Sequence, residues 1–273
     1  MDDKLLPPGL YLGDCMDYMK QFPDKYFDLA VVDPPYGSGN ETGNNVAKFA
    51  GGPLWSAVRQ VQAPDSSASI RVRDGTGTIQ GGVCRTGGTW AERYGKKIVA
   101  WDVAPGKEYF DELFRVSRNQ IIWGGNYFNL PPTRCFLVWK KLTISESFTM
   151  AMCEYAWTSF DGNAKLFECA PQGNAQEQRY HPTQKPVRLY SWILDRYAKP
   201  GMRILDTHAG SASSLVACHR AGLDCWGFEI DPVYYEKSKR RLEKECAQVT
   251  MMDVIKQADN AQITMTDVMK ESV

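Results

Sequence analysis

Asp33, Pro34, Pro35 and Tyr36 set a carboxylate, two rigid imino acids and an aromatic ring in four consecutive positions. They follow the apolar run Phe27, Asp28, Leu29, Ala30, Val31, Val32, which reads as a buried strand. In an open α/β sheet the carboxyl ends of the strands face the ligand crevice, so the tetrad is expected at an active site. Proline fixes φ and has no N–H, so this turn holds its carbonyls in one geometry. Such a site suits a flat ring bearing an amino group. The carboxylate and a carbonyl would accept from the amino hydrogens while the tyrosine stacks on the ring. The plainer reading, a Pro-Pro stop after a strand, gives these residues no chemistry.

A second constellation lies between Met202 and Asp231, which read as strand, turn, helix and strand. Arg203, Ile204, Leu205 and Asp206 end an apolar run, and Ala209, Gly210, Ser211, Ala212, Ser213 form a turn of small residues. Leu215, Val216, Cys218 and His219 continue with helical spacing. Small residues let the backbone approach a ligand and leave the N–H groups at the helix start available. The next apolar run, Cys225 to Ile230, carries Glu229 near its tip, where a carboxylate commonly holds the two hydroxyls of a ribose. By itself this half fits any nucleoside-cofactor domain.

Taken together, the pieces resemble the DNA amino-methyltransferases, which move a methyl group from S-adenosylmethionine to the exocyclic nitrogen of adenine or cytosine. The resemblance covers nearly the whole chain. Asp33-Pro34-Pro35-Tyr36 is similar to the family's catalytic motif, Asp206 to Ser213 to its cofactor loop and Glu229 to its ribose-binding acid. Leu12-Gly13-Asp14-Cys15 resembles the adenine-binding strand end, His181 to Pro186 the segment before the cofactor loop, and Asn119 to Phe128 an internal strand and turn. The catalytic motif precedes the cofactor loop, which is the order of the β class. The resemblance therefore implies an α/β, Rossmann-like S-adenosylmethionine-dependent methyltransferase sheet with circularly permuted motif order.

By the same resemblance, the catalytic set is Asp33, Pro34, Pro35 and Tyr36. The cofactor set is Asp14, Cys15, Lys185, Asp206, His208, Ala209, Gly210, Ser211, Glu229 and Ile230. Asp14 is expected on the adenine, Glu229 on the ribose, and Asp206, Gly210 and Ser211 near the methionine end. Lys185 could reach the methionine carboxylate, with a surface lysine before Pro186 as the alternative. In one respect the chain departs from the family. The cofactor loop usually reads Asp-Pro-Phe-Xaa-Gly-Ser-Gly, and here Thr207, His208 and Ala212 replace the Pro, the Phe and the second Gly. An alanine where φ must be positive is expected to be strained or to crowd the ligand.

The 273 residues are read as one catalytic domain over 1–246, with a mobile basic insertion at about 38–97 and a C-terminal tail, 247–273. In the tail, Thr250 to Lys256 is echoed by Thr264 to Lys270, two amphipathic pieces read as helical. No apolar run approaches the ~18 residues of a membrane span, and the N-terminus lacks a signal-peptide layout. A soluble protein of a bacterial or phage-host cytoplasm is expected. The eight cysteines contain no CxxC pair, so no metal site is expected.

The formal net charge is zero, so a DNA enzyme must concentrate its basic residues where phosphates lie. Residues 59–97 hold Arg59, Arg71, Arg73, Arg85, Arg93, Lys96 and Lys97 against Asp65, Asp74 and Glu92, a local excess of +4. Arg71, Arg73, Arg85, Arg93, Lys96 and Lys97 are the expected phosphate contacts. The stretch is rich in Gly, Ser, Thr and Gln without sustained periodicity, which suits a flap over DNA or a tolerated surface insertion.

The other segments read as architecture. Tyr109–Val116 has helical spacing, Cys135–Trp139 and Cys153–Ser159 read as strands, and helices are expected over Pro186–Tyr197 and Pro232–Cys246. Lys237, Lys239, Arg240 and Arg241 are expected on a solvated helix face. Only about twenty residues, Phe160 to Tyr180, lie before the segment at His181, too few for a target-recognition module of ordinary domain size. A short or relaxed target sequence follows, or a partner that supplies specificity; a homodimer is equally open.

The leading expectation is N6-adenine methylation of double-stranded DNA, because Asp as first motif residue is typical of adenine enzymes in the family and Ser of cytosine enzymes. N4-cytosine methylation, or an RNA substrate, would use the same pocket. A catalytically silent DNA-binding or adapter protein with a degraded cofactor loop is the alternative of another class.

Overall fold

The computed structural model describes residues 5–37, 103–144, 151–171, 179–181 and 183–247. The basic insertion with all six expected phosphate contacts, and the tail from residue 248, lie outside the described residues. In chain order the elements are β1 (Gly9–Leu12), α1 (Cys15–Met19), β2 (Phe27–Val32), α2 (Lys107–Val116) and β3 (Ser117–Trp123). A short 3-10 turn, Gly125–Tyr127, precedes β4 (Phe136–Lys141), β5 (Cys153–Thr158) and β6 (Lys165–Cys169). Then come α3 (Val187–Tyr197), β7 (Arg203–Asp206), α4 (Ser213–Ala221), β8 (Asp224–Glu229) and α5 (Pro232–Cys246).

Among the described residues the strands form one sheet in the order β1-β8-β7-β2-β3-β5-β4-β6. β5 runs antiparallel to β3 and to β4, whereas the other pairings are parallel. Central strands of such a sheet are covered on both faces, which is why β2 is almost continuously apolar. Its residues alternate between two cores. Leu29 and Val31 pack with α3 and α4, while Ala30 and Val32 pack with α1 and α2. Helix α2 buries Tyr109, Phe110, Leu113 and Val116, one stripe at helical spacing, and burying each of these contributes on the order of 2 kcal/mol.

This topology positions the site. From β2 the chain proceeds through α2 to β3 on one side, and from the adjacent β7 it proceeds through α4 to β8 on the other. Where neighbouring strands send their connections in opposite directions a crevice opens at their carboxyl ends. Asp33 follows β2 and the small-residue loop follows β7, so both constellations seen in the sequence border that crevice. The stretch Phe160–Tyr180, read as too short for a target-recognition module, contributes β6, a further strand on the edge formed by β4. Its alternating sequence, Lys-Leu-Phe-Glu-Cys, pairs in parallel with β4 and leaves Leu166 exposed.

Candidate active site

The carboxyl ends of β1, β8, β7 and β2, with Trp139 and Lys141 of β4 and Glu154 of β5, surround a cavity of about 1120 Å³. At one end stand Asp14, just beyond β1, and Glu229, the last residue of β8; the two strands pair with Leu12 opposite Glu229. The Gly13 N–H donates to the Glu229 backbone carbonyl at 2.9 Å and locks the two strand tips together. The Asp14 carboxylate accepts from the Met16 N–H at 2.9 Å and thereby caps α1. Glu229 is similarly oriented by the backbone: Oε1 accepts from the Asp231 N–H and Oε2 from the Gly210 N–H, both at 2.8 Å. Each oxygen keeps a lone pair for a hydroxyl donor. Burial pushes this carboxyl up to about 7 against the pull of those two N–H groups. A pair of strand-end carboxylates, one fixed by two amides, suits the base and ribose of a nucleoside.

Behind Glu229 the loop 207–212 is held from outside. The Ser211 carbonyl accepts from Tyr180 at 2.9 Å and from Arg241 at 2.8 Å, and the Gly210 carbonyl accepts from Ser238 at 2.5 Å. Gly210 has φ +51°, and a Cβ there would lie 3.3 Å from the His181 ring. That close approach explains a glycine at this position. His181 itself is pushed down to about 3 by burial and is neutral, with its ring edge-on to Tyr234.

The three departures in the loop are accommodated. Ala212 has φ 56° and ψ 27°, the left-handed region in which a Cβ costs roughly 1–2 kcal/mol. Its methyl is fully buried in the core shared with α3 and α4, which returns about 0.8 kcal/mol, and it does not line the cavity. The expected strain is present and the expected crowding is not. His208 packs edge-on against Tyr109, ring centroids 5.4 Å apart, and its Nδ1 lies 2.9 Å from Thr207 Oγ1, which is 2.6 Å from the Tyr109 hydroxyl. Burial pushes His208 down to about 4, so a neutral imidazole fills a place where the family has Phe.

Asp206 differs from its expected place. Its carboxylate accepts from the His208 N–H at 3.0 Å and from the Ser214 hydroxyl, it is buried beneath the loop, and it does not line the cavity. Its role in this geometry is to brace the loop. Burial pushes it up to about 6.

At the other end of the cavity Asp33 is the centre of a chain of charges. Tyr36 donates to Asp33 Oδ1 at 2.8 Å and Lys185 donates to Oδ2. Lys185 Nζ also lies 3.1 Å from Glu154 Oε2, and Lys141 Nζ lies 2.7 Å from Glu154 Oε1. Lys185 is 4% exposed, so the expected surface lysine is a buried one, and its ammonium is committed to two carboxylates. Burial raises the Asp33 carboxyl, Glu154 raises it further, and Lys185 and the Tyr36 hydroxyl pull it back; the outcome is above the ordinary value. Burial opposes the charge of Lys185, yet Asp33 and Glu154 hold its pKa above the ordinary value. Burial also pushes the Tyr36 phenol far up, so the hydroxyl is a donor at neutral pH. The Tyr36 ring stacks on Tyr127, with centroids 4.8 Å apart and planes 23° from parallel.

The cavity thus gathers Asp14, Cys15, Lys185, His208, Ala209, Gly210, Ser211, Glu229 and Ile230 with Asp33, Pro34, Pro35 and Tyr36, and leaves out Asp206. Burial pushes the Cys15 thiol up to about 12, which makes it an inert neighbour. Sequence reasoning missed Glu154, Lys141, Tyr109 and Arg241. The available signal for Glu154 was a carboxylate within an otherwise apolar strand. For Lys141 it was a lysine at the end of a strand that buries two neighbours, and Arg241 had no distinguishing signal in its basic helix.

The family described as DNA methylase matches residues 138–240. Over 88% of both chains the protein is 25% identical to the type II methyltransferase M2.MboI of Moraxella bovis. Among solved structures, the cytosine-N4-specific PvuII DNA methyltransferase superposes with a TM-score of 0.49 at 11% identity, covering 86% of each chain. The M1.HpyAVI–SAM complex gives 0.44 at 15% identity over 85% of this chain and 98% of that one.

Proposed function

We propose that this chain, a DNA methylase of the N6/N4 family through its residues 138–240, transfers a methyl group from S-adenosylmethionine to the N6 amino group of adenine in double-stranded DNA. The supporting observation is Asp33, a half-buried carboxylate at the carboxyl end of β2, which shares one cavity with Glu229 and the 207–212 loop. When bound, S-adenosylmethionine supplies an electrophilic methyl group on a sulfonium.

The chain's residues supply the remainder. An exocyclic aromatic amine is a poor nucleophile because its lone pair is delocalised into the ring. Asp33 and the Pro34 carbonyl each accept an amino hydrogen, which concentrates electron density on the nitrogen. Tyr36, carried on Tyr127, stacks on the base once it has left the duplex stack. Methylation makes the nitrogen strongly acidic, so Asp33 takes its proton without being a strong base.

Glu229 is assigned to the ribose hydroxyls and Asp14 to the adenine of the cofactor. Hydroxyl donors favour the ionised carboxylate. With the Glu229 pKa raised to about 7, affinity for S-adenosylmethionine is expected to strengthen as pH rises from 6 to 8 and then level off. Glu229→Gln is expected to weaken binding roughly 10- to 100-fold and to abolish that pH dependence. Titration calorimetry across the pH range reads both, and an unchanged pH dependence in the variant would contradict the assignment.

Phosphate contacts are assigned to Arg71, Arg73, Arg85, Arg93, Lys96 and Lys97 on the local charge excess. Deleting residues 60–90 is expected to weaken duplex binding and to flatten its dependence on salt by about 0.9 in log–log slope for each phosphate no longer neutralised. An unchanged slope would remove Arg71, Arg73 and Arg85, the three that the deletion takes out, from the interface. The base is tested with methyl-acceptor assays on duplexes containing only A·T or only G·C pairs. Incorporation into the first supports adenine, and incorporation into the second alone moves the reading to cytosine N4.

A further inference from the structure

We propose that Lys185 is a positioning residue that keeps Asp33 ionised and oriented for the amino group, and that Glu154 and Lys141 hold Lys185 in that task. The inference rests on the methylation reading for its purpose, but its geometry stands independently. Four charged groups alternate in sign along one chain of contacts: Asp33 after β2, Lys185 before α3, Glu154 on β5 and Lys141 at the end of β4. The two ammonium groups are buried and lie over tryptophan rings, Lys185 at 5.4 Å from the Trp123 centroid and Lys141 at 5.3 Å from that of Trp139.

Burying the two ammonium groups costs several kcal/mol per ion before their half-buried carboxylate partners offset it, and apolar residues of similar volume would commonly be no less stable. A chain that retains it at the mouth of a candidate catalytic carboxylate has another use for it. Lys185 engages Oδ2 of Asp33, and Tyr36 engages Oδ1. The carboxylate is held from both sides, with second lone pairs left for a substrate amino group. The groups that act on Asp33 are Tyr36 on its own turn, Lys185, Glu154 on β5, Tyr109 on α2, Tyr190 on α3 and Asp206 on β7. Of these Lys185 is the cation in contact with it. Without Lys185, the half-buried Asp33 and Glu154 would face each other with Lys141 alone beside them. Lys141 touches Glu154, so the proton that relieves the repulsion goes to Asp33.

The charge order gives opposite signs for two variants. In Lys185→Met the acid limb of kcat is expected to move up by at least about one pH unit, with kcat at pH 7 falling about 100-fold and recovering toward pH 9. In Glu154→Gln the limb is expected to move down, because removal of the like charge, undivided attention from Lys185 and the released Lys141 all favour ionised Asp33. The double variant removes one charge of each sign and is expected to regain about tenfold over Lys185→Met. Carbon-13 NMR titration of the Asp33 carboxyl in the substrate-free protein reads the same shifts without requiring turnover.

The result that overturns the inference is an Asp33 titration that is unmoved in Lys185→Met, or moved in the same direction by both variants. Loss of S-adenosylmethionine affinity in Lys185→Met with an unmoved titration would assign the lysine to the cofactor instead. Should Lys185→Met fail to fold, the direction in Glu154→Gln and in the double variant still decides. If the wild type transfers no methyl to DNA, the methylation reading fails while the NMR titration still tests the coupling.

Discussion

Asp33→Ala is expected to lower single-turnover methyl transfer by about a thousandfold while S-adenosylmethionine affinity changes by less than about threefold. The separation follows from geometry. Asp33 follows β2, on the same turn as Tyr36 and in contact with Lys185, whereas the nucleoside subsite around Asp14 and Glu229 is built by β1 and β8. Removing the carboxylate deletes the charged acceptor that localises the amine's lone pair, and it leaves Lys185 with Glu154 as its contacting carboxylate. A modest loss of thermal stability therefore accompanies the loss of turnover, because a buried cation loses one of its two partners. Rapid-quench kinetics and calorimetry on the same preparation separate the two quantities. Equal losses in turnover and affinity would indicate a scaffold role for Asp33.

The second large effect is expected from Gly124→Ala. Gly124 follows β3 with φ +67°, and a Cβ built there would lie 2.1 Å from Tyr36 Cε1 and 2.6 Å from Cζ. The backbone cannot give way readily. The Gly124 N–H donates to the Tyr155 carbonyl and its own carbonyl accepts from the Tyr127 N–H, each at 2.8 Å. The Tyr36 ring must move instead, losing its stack on Tyr127 and its hydrogen bond to Asp33. The left-handed backbone adds roughly 1–2 kcal/mol for any Cβ. Turnover is expected to fall about 100-fold with a stability loss of about 2–4 kcal/mol, while calorimetric affinity for S-adenosylmethionine stays within about threefold. Urea denaturation and steady-state kinetics check this, and wild-type turnover would show that Tyr36 has no part in the chemistry.

The parts of the site that could be read from sequence are those in which local sequence determines local structure. The apolar run before Asp33, the small residues after Asp206 and the strand ending at Glu229 each carry their own signal, and the observed β2, α4 and β8 follow it closely. Helix boundaries at Pro186 and at Asp231-Pro232 were legible for the same reason: Asp231 accepts from the Val233 and Tyr234 N–H groups and Pro232 opens the helix.

What escaped depends on neighbours distant in sequence. Glu154 and Lys141 look like ordinary strand charges until β5 is seen to run antiparallel beside β4, with Lys141 against Glu154 and Glu154 against a lysine from the segment before α3. Arg241 is one of several basic residues on α5, and only the fold turns it toward the Ser211 carbonyl. Asp206 was expected near the methionine end of the cofactor by resemblance alone, but its side chain turns back into the loop because Ser214 and the His208 N–H satisfy it there. At Ala212 the positive φ was foreseeable, whereas the burial of the methyl that offsets it was not.

The most direct test is to incubate the protein with isotopically labelled S-adenosylmethionine and unmethylated duplex DNA, digest to nucleosides and analyse by mass spectrometry, with Asp33→Ala in parallel. Labelled N6-methyladenine from the wild type and about a thousandfold less from the variant is the predicted result. Label on neither adenine nor cytosine, from protein shown by calorimetry to bind S-adenosylmethionine, would contradict DNA base methylation by this chain alone.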